Sequence, residues 1–283
     1  MNENNYATTW KQAAPMSLGL ISEAKSFFRI ATLSTLSLVN RSIGDTFLRC
    51  LYCHNVFDDQ IPSFERLLLK LKRIGAFVDT DTCIQMLKGE RTIDNRYYHL
   101  SFDDGFRNNF LNAFPILRKH NIPSIFFVAS SLIDANWEKA QKHCSETTRY
   151  RDVIEMLKWE DLAEMTSSGF EIGSHTRTHA RLSRISHDPT LLEDEILGSR
   201  KEIEMHLGVA CKYISWPYGR ITDADKASLE FMTNAGYHAC FGAFRGSVIP
   251  RATDIFSIPR HHIEVHWPIS HVKYFARGNM EVS

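Results

Sequence analysis

The chain has 283 residues, 43% hydrophobic and 23% charged, which is ordinary for a soluble globular enzyme and suits one large domain or two small ones. Its 33 basic residues balance 33 acidic ones, so no global field draws it to nucleic acid or to an anionic membrane. Thirteen histidines are a mild excess, and histidine is the commonest metal ligand.

The N-terminus, MNENNYATTWKQ, lacks the basic start, apolar core and small-residue cleavage site of a secretory signal, so a cytoplasmic location is expected. Met16 to Val39 is moderately apolar, but Glu23, Lys25 and Arg29 interrupt it. That pattern argues against a transmembrane span and for an amphipathic helix, packed on the domain or lying on a membrane face. Residues 1–45 are therefore read as a helical extension and 46–283 as the main domain.

Thr46 to Val56 reads as a buried strand ending in a polar loop with His54. Cys50 and Cys53 within it form a C-x-x-C, but residues three apart face opposite sides of a strand. Reduced, buried thiols are the plainer reading, and a redox or zinc pair is the rival. All six cysteines are scattered and suggest no disulfide framework. In IPSFERLLLKLKRIG, Phe64, Leu67, Leu68 and Leu71 share a helical face, with Ser63 as N-cap and Gly75 as stop. RYYHLSF is the next strand, with Asp103-Asp104-Gly105 at its exit. Phe106 to His120 reads as a helix kinked by Pro115, and Pro123 to Ser130 as a short apolar strand. Leu132 to about Arg151 is polar and aperiodic, an inserted loop. KWEDLAEMTSSG is a helix ended by Gly169, and FEIGSHT a strand. Leu191 to Leu207 is a long amphipathic helix. CKYISWPYG is a strand with a Pro-Tyr-Gly turn. A helix from Lys226 to Ala235, the strand YHACFGA and the extended FSIPRHHIEV complete the chain. Strands alternating with helices imply a parallel sheet, and polar strand ends suit the catalytic face of an α/β barrel.

Two adjacent carboxylates disfavour each other's ionisation, so Asp103 and Asp104 are either a surface turn or a site. His175 and His179, in GSHTRTH, are spaced to share one side of a turn. Two histidines and one carboxylate are a common catalytic zinc set, so one aspartate could bind a cation and leave the other as a base. In SWPYGR, the turn could aim a backbone N–H inward and an aromatic could stack on a sugar ring. A turn with core aromatics is the alternative there. Arg260, His261 and His262 in IPRHHIE, and His54, could each reach a barrel mouth or sit in the core.

In order, YCHNV, SFDDGF, SHTRTH, WPYG and IPRHHIE resemble the polysaccharide deacetylase family, the chitooligosaccharide-deacetylase homology domain of the carbohydrate esterases. The likeness runs from about Leu51 to Val265. It implies a distorted (β/α) barrel of about seven strands and metal-dependent removal of an acetyl group from an N-acetylated sugar. It assigns the general base to Asp103 and the metal to Asp104, His175 and His179, most simply Zn2+, with Co2+ or Ni2+ as alternatives. The backbone N–H of Tyr218 is implied in an oxyanion hole, while Trp216, Pro217 and Tyr218 are expected, from their own chemistry, to contact the substrate. Many members carry an arginine two residues before the third-motif proline. Here that position is Ser215, and Arg260 is expected to take the role from another strand. The late Leu-x-His motif has no clear counterpart, which leaves His54, His261 or His262 as general acid. The expected substrate is an acetylated glycan of the bacterial surface or its lipid- or nucleotide-linked precursor, met at the inner membrane face. No nucleic-acid partner is expected, and the oligomeric state is left open. Two rivals remain: a glycan-binding pseudoenzyme, and an amidohydrolase acting on a non-sugar C–N bond.

Overall fold

The computed structural model describes residues 5–14 and 46–276. The amphipathic stretch from Met16 to Val39, and with it most of the helical extension expected over 1–45, lies outside them. Among the described residues no helix is long and apolar enough to cross a membrane.

Eight strands form one parallel sheet: β1 Phe47–Cys53, β2 Ala76–Val78, β3 Arg96–Phe102, β4 Ile125–Val128, β5 Glu171–Ser174, β6 Tyr213–Ser215, β7 Ala239–Phe241 and β8 His261–His262. The order is β7-β6-β5-β4-β3-β1-β8, with β2 on the starting half of β3 and β4 on its finishing half. The chain closes the curl after β7. Ile258 bridges Phe241, and three residues later β8 begins to pair with Leu51 and Tyr52 of β1. The result is the distorted barrel that the family resemblance implies, with eight strands where about seven were expected.

Strand alternation sorts the side chains into two layers. Outward residues such as Leu51, Cys53, Leu100, Phe102 and Phe126 pack under the surrounding helices, with Phe64, Leu67, Leu68 and Leu71 of helix α1 (Ile61–Lys72). Inward residues such as Leu48, Cys50, Ile125, Phe127 and Phe241 meet Cys83, Ile84, Met86 and Leu87 of helix α2 (Thr80–Lys88). Helix α2 thus plugs the end where the strands begin and leaves the other end open. C-x-x-C is split as its strand setting requires, Cys50 inside and Cys53 outside.

Several elements depart from the sequence reading. Helix α1 begins two residues before Ser63, because Pro62 suits a first turn where its missing N–H is not needed. Strand β2 and helix α2 were not anticipated, although Asp79 caps α2 by accepting from Thr82 N and Gly89 ends it at φ 70°. The kink at Pro115 is a π-helical turn, Asn109–Ala113, ahead of helix α3 (Phe114–Lys119). The expected long helix ending at Leu207 likewise contains a π-turn, Asp194–Gly198. The loop read over 132–151 holds a helix, Trp137–Lys142, and a π-turn, His143–Thr148, with Ala140, His143 and Cys144 buried. Its buried residues are too few to make a periodic signal. They pack beneath the N-terminal segment, where Ala7 N donates to Val153 O and Arg151 N donates to Ala13 O.

Candidate active site

A cavity of about 360 Å³ opens where the strands end, lined by Asp103, Asp104, His175, His179, His54 and His262, among others. Asp103 and Asp104 leave β3 almost fully buried, at 3% and 4% exposure. Asp104 adopts φ 73° and Gly105 φ 80°, and this left-handed pair turns the chain so that both carboxylates face the cavity. Of eight non-glycine residues with positive φ among those described, Asp104, Thr176, His179 and Tyr218 gather here. Such backbone is costly and persists where the surroundings over-determine it, typically at functional sites.

The two aspartates have separate partners, which resolves the like-charge problem. Arg260 approaches Asp103 through the barrel interior, donating from Nη1 to Oδ1 at 2.8 Å and from Nη2 to Oδ2 at 2.7 Å. Its remaining donors reach Ser101 Oγ at 2.9 Å, Ser215 Oγ at 2.6 Å and Gly242 O at 2.7 Å. All five guanidinium N–H groups are therefore satisfied, as a fully buried arginine requires. Ser215, at the position where an arginine was looked for, instead receives one of these bonds. Burial alone would raise the Asp103 carboxyl. The charge and hydrogen bonds of Arg260, with His175 and His54, together outweigh this and hold it below its ordinary value.

Asp104 Oδ1 lies 3.1 Å from His179 Nε2 and 3.4 Å from His175 Nε2. His175 Nδ1 donates to the Ser215 carbonyl at 2.7 Å, which leaves Nε2 as an acceptor facing a carboxylate oxygen. Two acceptors in contact repel unless a proton or a cation sits between them. Their ligand atoms all lie within 4.8 Å of one another, so the three residues fit a divalent cation by geometry and by donor chemistry. Burial pushes the Asp104 carboxyl up, but the two imidazoles more than offset this and hold it well below its usual range.

The loop carrying these histidines is held by Glu195, from the second π-turn. Its carboxylate accepts from Arg177 N at 3.0 Å and from Thr178 N at 2.9 Å. Neither Glu195 nor His143, whose ring lies 5.3 Å from that of His179, was singled out in the sequence. Burial lowers His143 to about 4, so it is neutral near pH 7. The signal for Glu195 was hidden inside an ordinary helical pattern.

Across the cavity, His54 Nδ1 and His262 Nε2 both contact Glu264 Oε1, at 3.1 and 2.6 Å. Burial opposes protonation of His54, yet Glu264, then Asp104 and Asp103, raise it to about 9. Burial lowers His262. Of the two imidazoles, His54 is therefore the one held cationic near neutrality, while a neutral His262 donates its Nε2–H to Glu264 Oε1. His261 is buried and lies outside the cavity wall. Glu264 is a third residue that the sequence reading passed over, although it stands in IPRHHIE.

Trp216 lines the cavity but is 2% exposed, its indole N–H held by Arg220 O at 3.1 Å. Pro217 is buried and does not line the cavity, so it shapes the turn and does not offer a face to a ligand. Tyr218 is 41% exposed, with its ring 5.0 Å from that of His179. Gly219 follows at φ 70°, where a Cβ would lie 2.0 Å from that of Ala243. Trp10, from the N-terminal segment, also lines the cavity and stacks on His266 at 4.1 Å.

Residues 90–240 match the family model described as polysaccharide deacetylase, more than half of the chain. The chain belongs to the polysaccharide deacetylase family. It is 27% identical over 169 residues to the poly-β-1,6-N-acetyl-D-glucosamine N-deacetylase of Staphylococcus aureus (strain MRSA252), covering 57% of this chain and 52% of that one. The chain spans about half the length of the curated relatives it matches. The structure of IcaB from Ammonifex degensii superposes with a TM-score of 0.68 at 22% identity, over 82% of this chain and 97% of that chain. The Streptococcus pyogenes deacetylase PplD, in complex with acetate, gives 0.63 at 18% identity over 81% and 96%. At these identities the likeness establishes a shared fold. This member of the family keeps both aspartates of the Asp-Asp-Gly motif and both histidines of the His-Thr-x-x-His segment on one cavity.

Proposed function

We propose that the protein hydrolyses the acetamide of an N-acetylated sugar in a bacterial glycan, with a divalent cation held by Asp104, His175 and His179. The observation that carries this reading is the division between the two aspartates: Asp103 is engaged by Arg260 alone, and Asp104 by the two histidines. One carboxylate is thus free to act as a base while its neighbour serves a cation. Bound there, a cation such as Zn2+ would polarise the acetamide carbonyl and make water more acidic.

The chain's own residues supply the rest. Arg260 fixes the plane of the Asp103 carboxylate and keeps it ionised. Asp103 accepts the proton of the water whose oxygen attacks the carbonyl carbon. The Tyr218 N–H, set by the left-handed turn, donates to the developing oxyanion. The C–N bond then breaks as His54 gives its proton to the departing nitrogen, with Glu264 orienting the imidazole. Acetate and a free amine leave, and His262 stands beside His54 to share the returning proton.

The S. aureus relative, named as a poly-β-1,6-N-acetyl-D-glucosamine N-deacetylase, makes that polymer the first substrate to try. The test is acetate release from that polymer and from N-acetylglucosamine oligomers, by protein stripped of metal and reloaded with Zn2+, Co2+ or Ni2+. Acetate release that disappears in Asp103→Asn supports the proposal. Cation binding without acetate from any acetylated glycan would replace it with a glycan-binding role.

A further inference from the structure

The plugged end of the barrel contains a second cluster, none of whose residues lines the cavity. Cys50 on β1, Cys83 on α2 and His99 on β3 are all fully buried, and their ligand atoms lie within 4.8 Å of one another. His99 Nε2 is 3.1 Å from Thr80 Oγ1, and the ring stacks on Phe241 with centroids 5.2 Å apart. The imidazole is therefore fixed at one nitrogen and on one face. Its other nitrogen, Nδ1, is buried without a hydrogen-bond partner. A buried nitrogen without a hydrogen-bond partner is costly, and a rigid ring with its outer nitrogen already engaged is how metal-binding imidazoles are usually held.

The sulfur spacing gives an independent indication. Cys50 Sγ and Cys83 Sγ are 3.8 Å apart. Two sulfurs each about 2.3 Å from one ion, at the tetrahedral angle, would themselves lie about 3.8 Å apart. Two thiolates would also neutralise a divalent ion, and the three side chains would fill three of its four tetrahedral positions.

We infer that Cys50, Cys83 and His99 bind one thiophilic divalent cation of the zinc type, which fastens helix α2 across the closed end of the barrel. The site is separate from the one built on Asp104 and differs from it in chemistry, because that triad offers only oxygen and nitrogen. Sulfur around the ion is therefore its signature, whatever the fate of the deacetylase reading.

The experiment is zinc-edge X-ray absorption on the full chain, purified under reductant and dialysed against Zn2+, with ions per chain counted in parallel. The expected result is sulfur scattering at about 2.3 Å. In a Cys50→Ser/Cys83→Ala double variant the sulfur signal should vanish and the ion count fall by one. A wild-type spectrum with only oxygen and nitrogen neighbours at zinc saturation would overturn the inference, as would sulfur scattering that persists in the double variant. The wild-type spectrum decides the matter even if the double variant fails to fold.

Discussion

Arg260 holds Asp103 through both carboxylate oxygens, at 2.8 and 2.7 Å, inside a barrel where the arginine is completely buried. The guanidinium also lies 4.6 Å from the Tyr52 ring centre and 5.4 Å from that of Phe127. Removing one partner of such a pair leaves an uncompensated buried charge. Arg260→Met should lower stability by about 3–5 kcal/mol, read from urea denaturation midpoints. Arg260→Lys keeps the charge but loses the planar fork. It should recover part of that stability while acetate release stays low.

The two aspartates should fail differently. Asp103→Asn is expected to lose roughly 10²–10⁴-fold in kcat while retaining cation binding at the neighbouring triad. Asp104→Asn should lose the cation itself. Zinc titration calorimetry beside acetate assays separates the two. Equal loss of cation binding in both variants would contradict the division of roles.

His54 gives a pH dependence with a definite sign. It faces Glu264 and His262, with Asp103 and Asp104 acting across the cavity, and its value is raised from 6.5 to about 9. A raised histidine favours the fold fully below about 6.5, and that contribution is lost as pH rises through about 9. As the proton donor it should also set the alkaline limb of kcat/KM near pH 9. Glu264→Gln should move that limb to lower pH. An unmoved limb would exclude the His54–Glu264 pair as the acid.

Glu195 is a positioning residue, since it binds the backbone of Arg177 and Thr178 and not the ligands themselves. Glu195→Gln should weaken cation affinity by about 10–100-fold, the usual range for outer partners of metal ligands. Circular dichroism should show the fold retained.

Gly219 tests the strained turn. A Cβ there meets both the Ala243 side chain and its backbone, and φ is 70°. Gly219→Ala should reduce kcat more than it reduces cation binding, because it displaces Tyr218 and leaves the triad in place. Acetate kinetics read with zinc titration check this.

Much of the site was legible because its residues sit at strand exits, where an apolar run stops at a polar motif. Asp103, Asp104, His175 and His179 were found in this way, and Ser215 drew attention to Arg260. Glu195 was not legible, because a π-turn leaves no mark in an amphipathic pattern until its carboxylate is seen against the histidine loop. Pro217 was read as a contact residue, when its fixed geometry serves the turn. Helix α2 escaped notice for its length alone, although Asp79 and Gly89 mark its ends. With it went the pairing of Cys50 and Cys83, which no local spacing announces.

The most direct measurement is anomalous diffraction at the zinc edge from crystals of the protein grown with Zn2+ and acetate. The account predicts a peak about 2.0–2.2 Å from Asp104 oxygen, His175 Nε2 and His179 Nε2, with Asp103 still paired to Arg260 and unligated. Zinc coordinated by Asp103, or density showing the triad empty at saturating Zn2+, would contradict it.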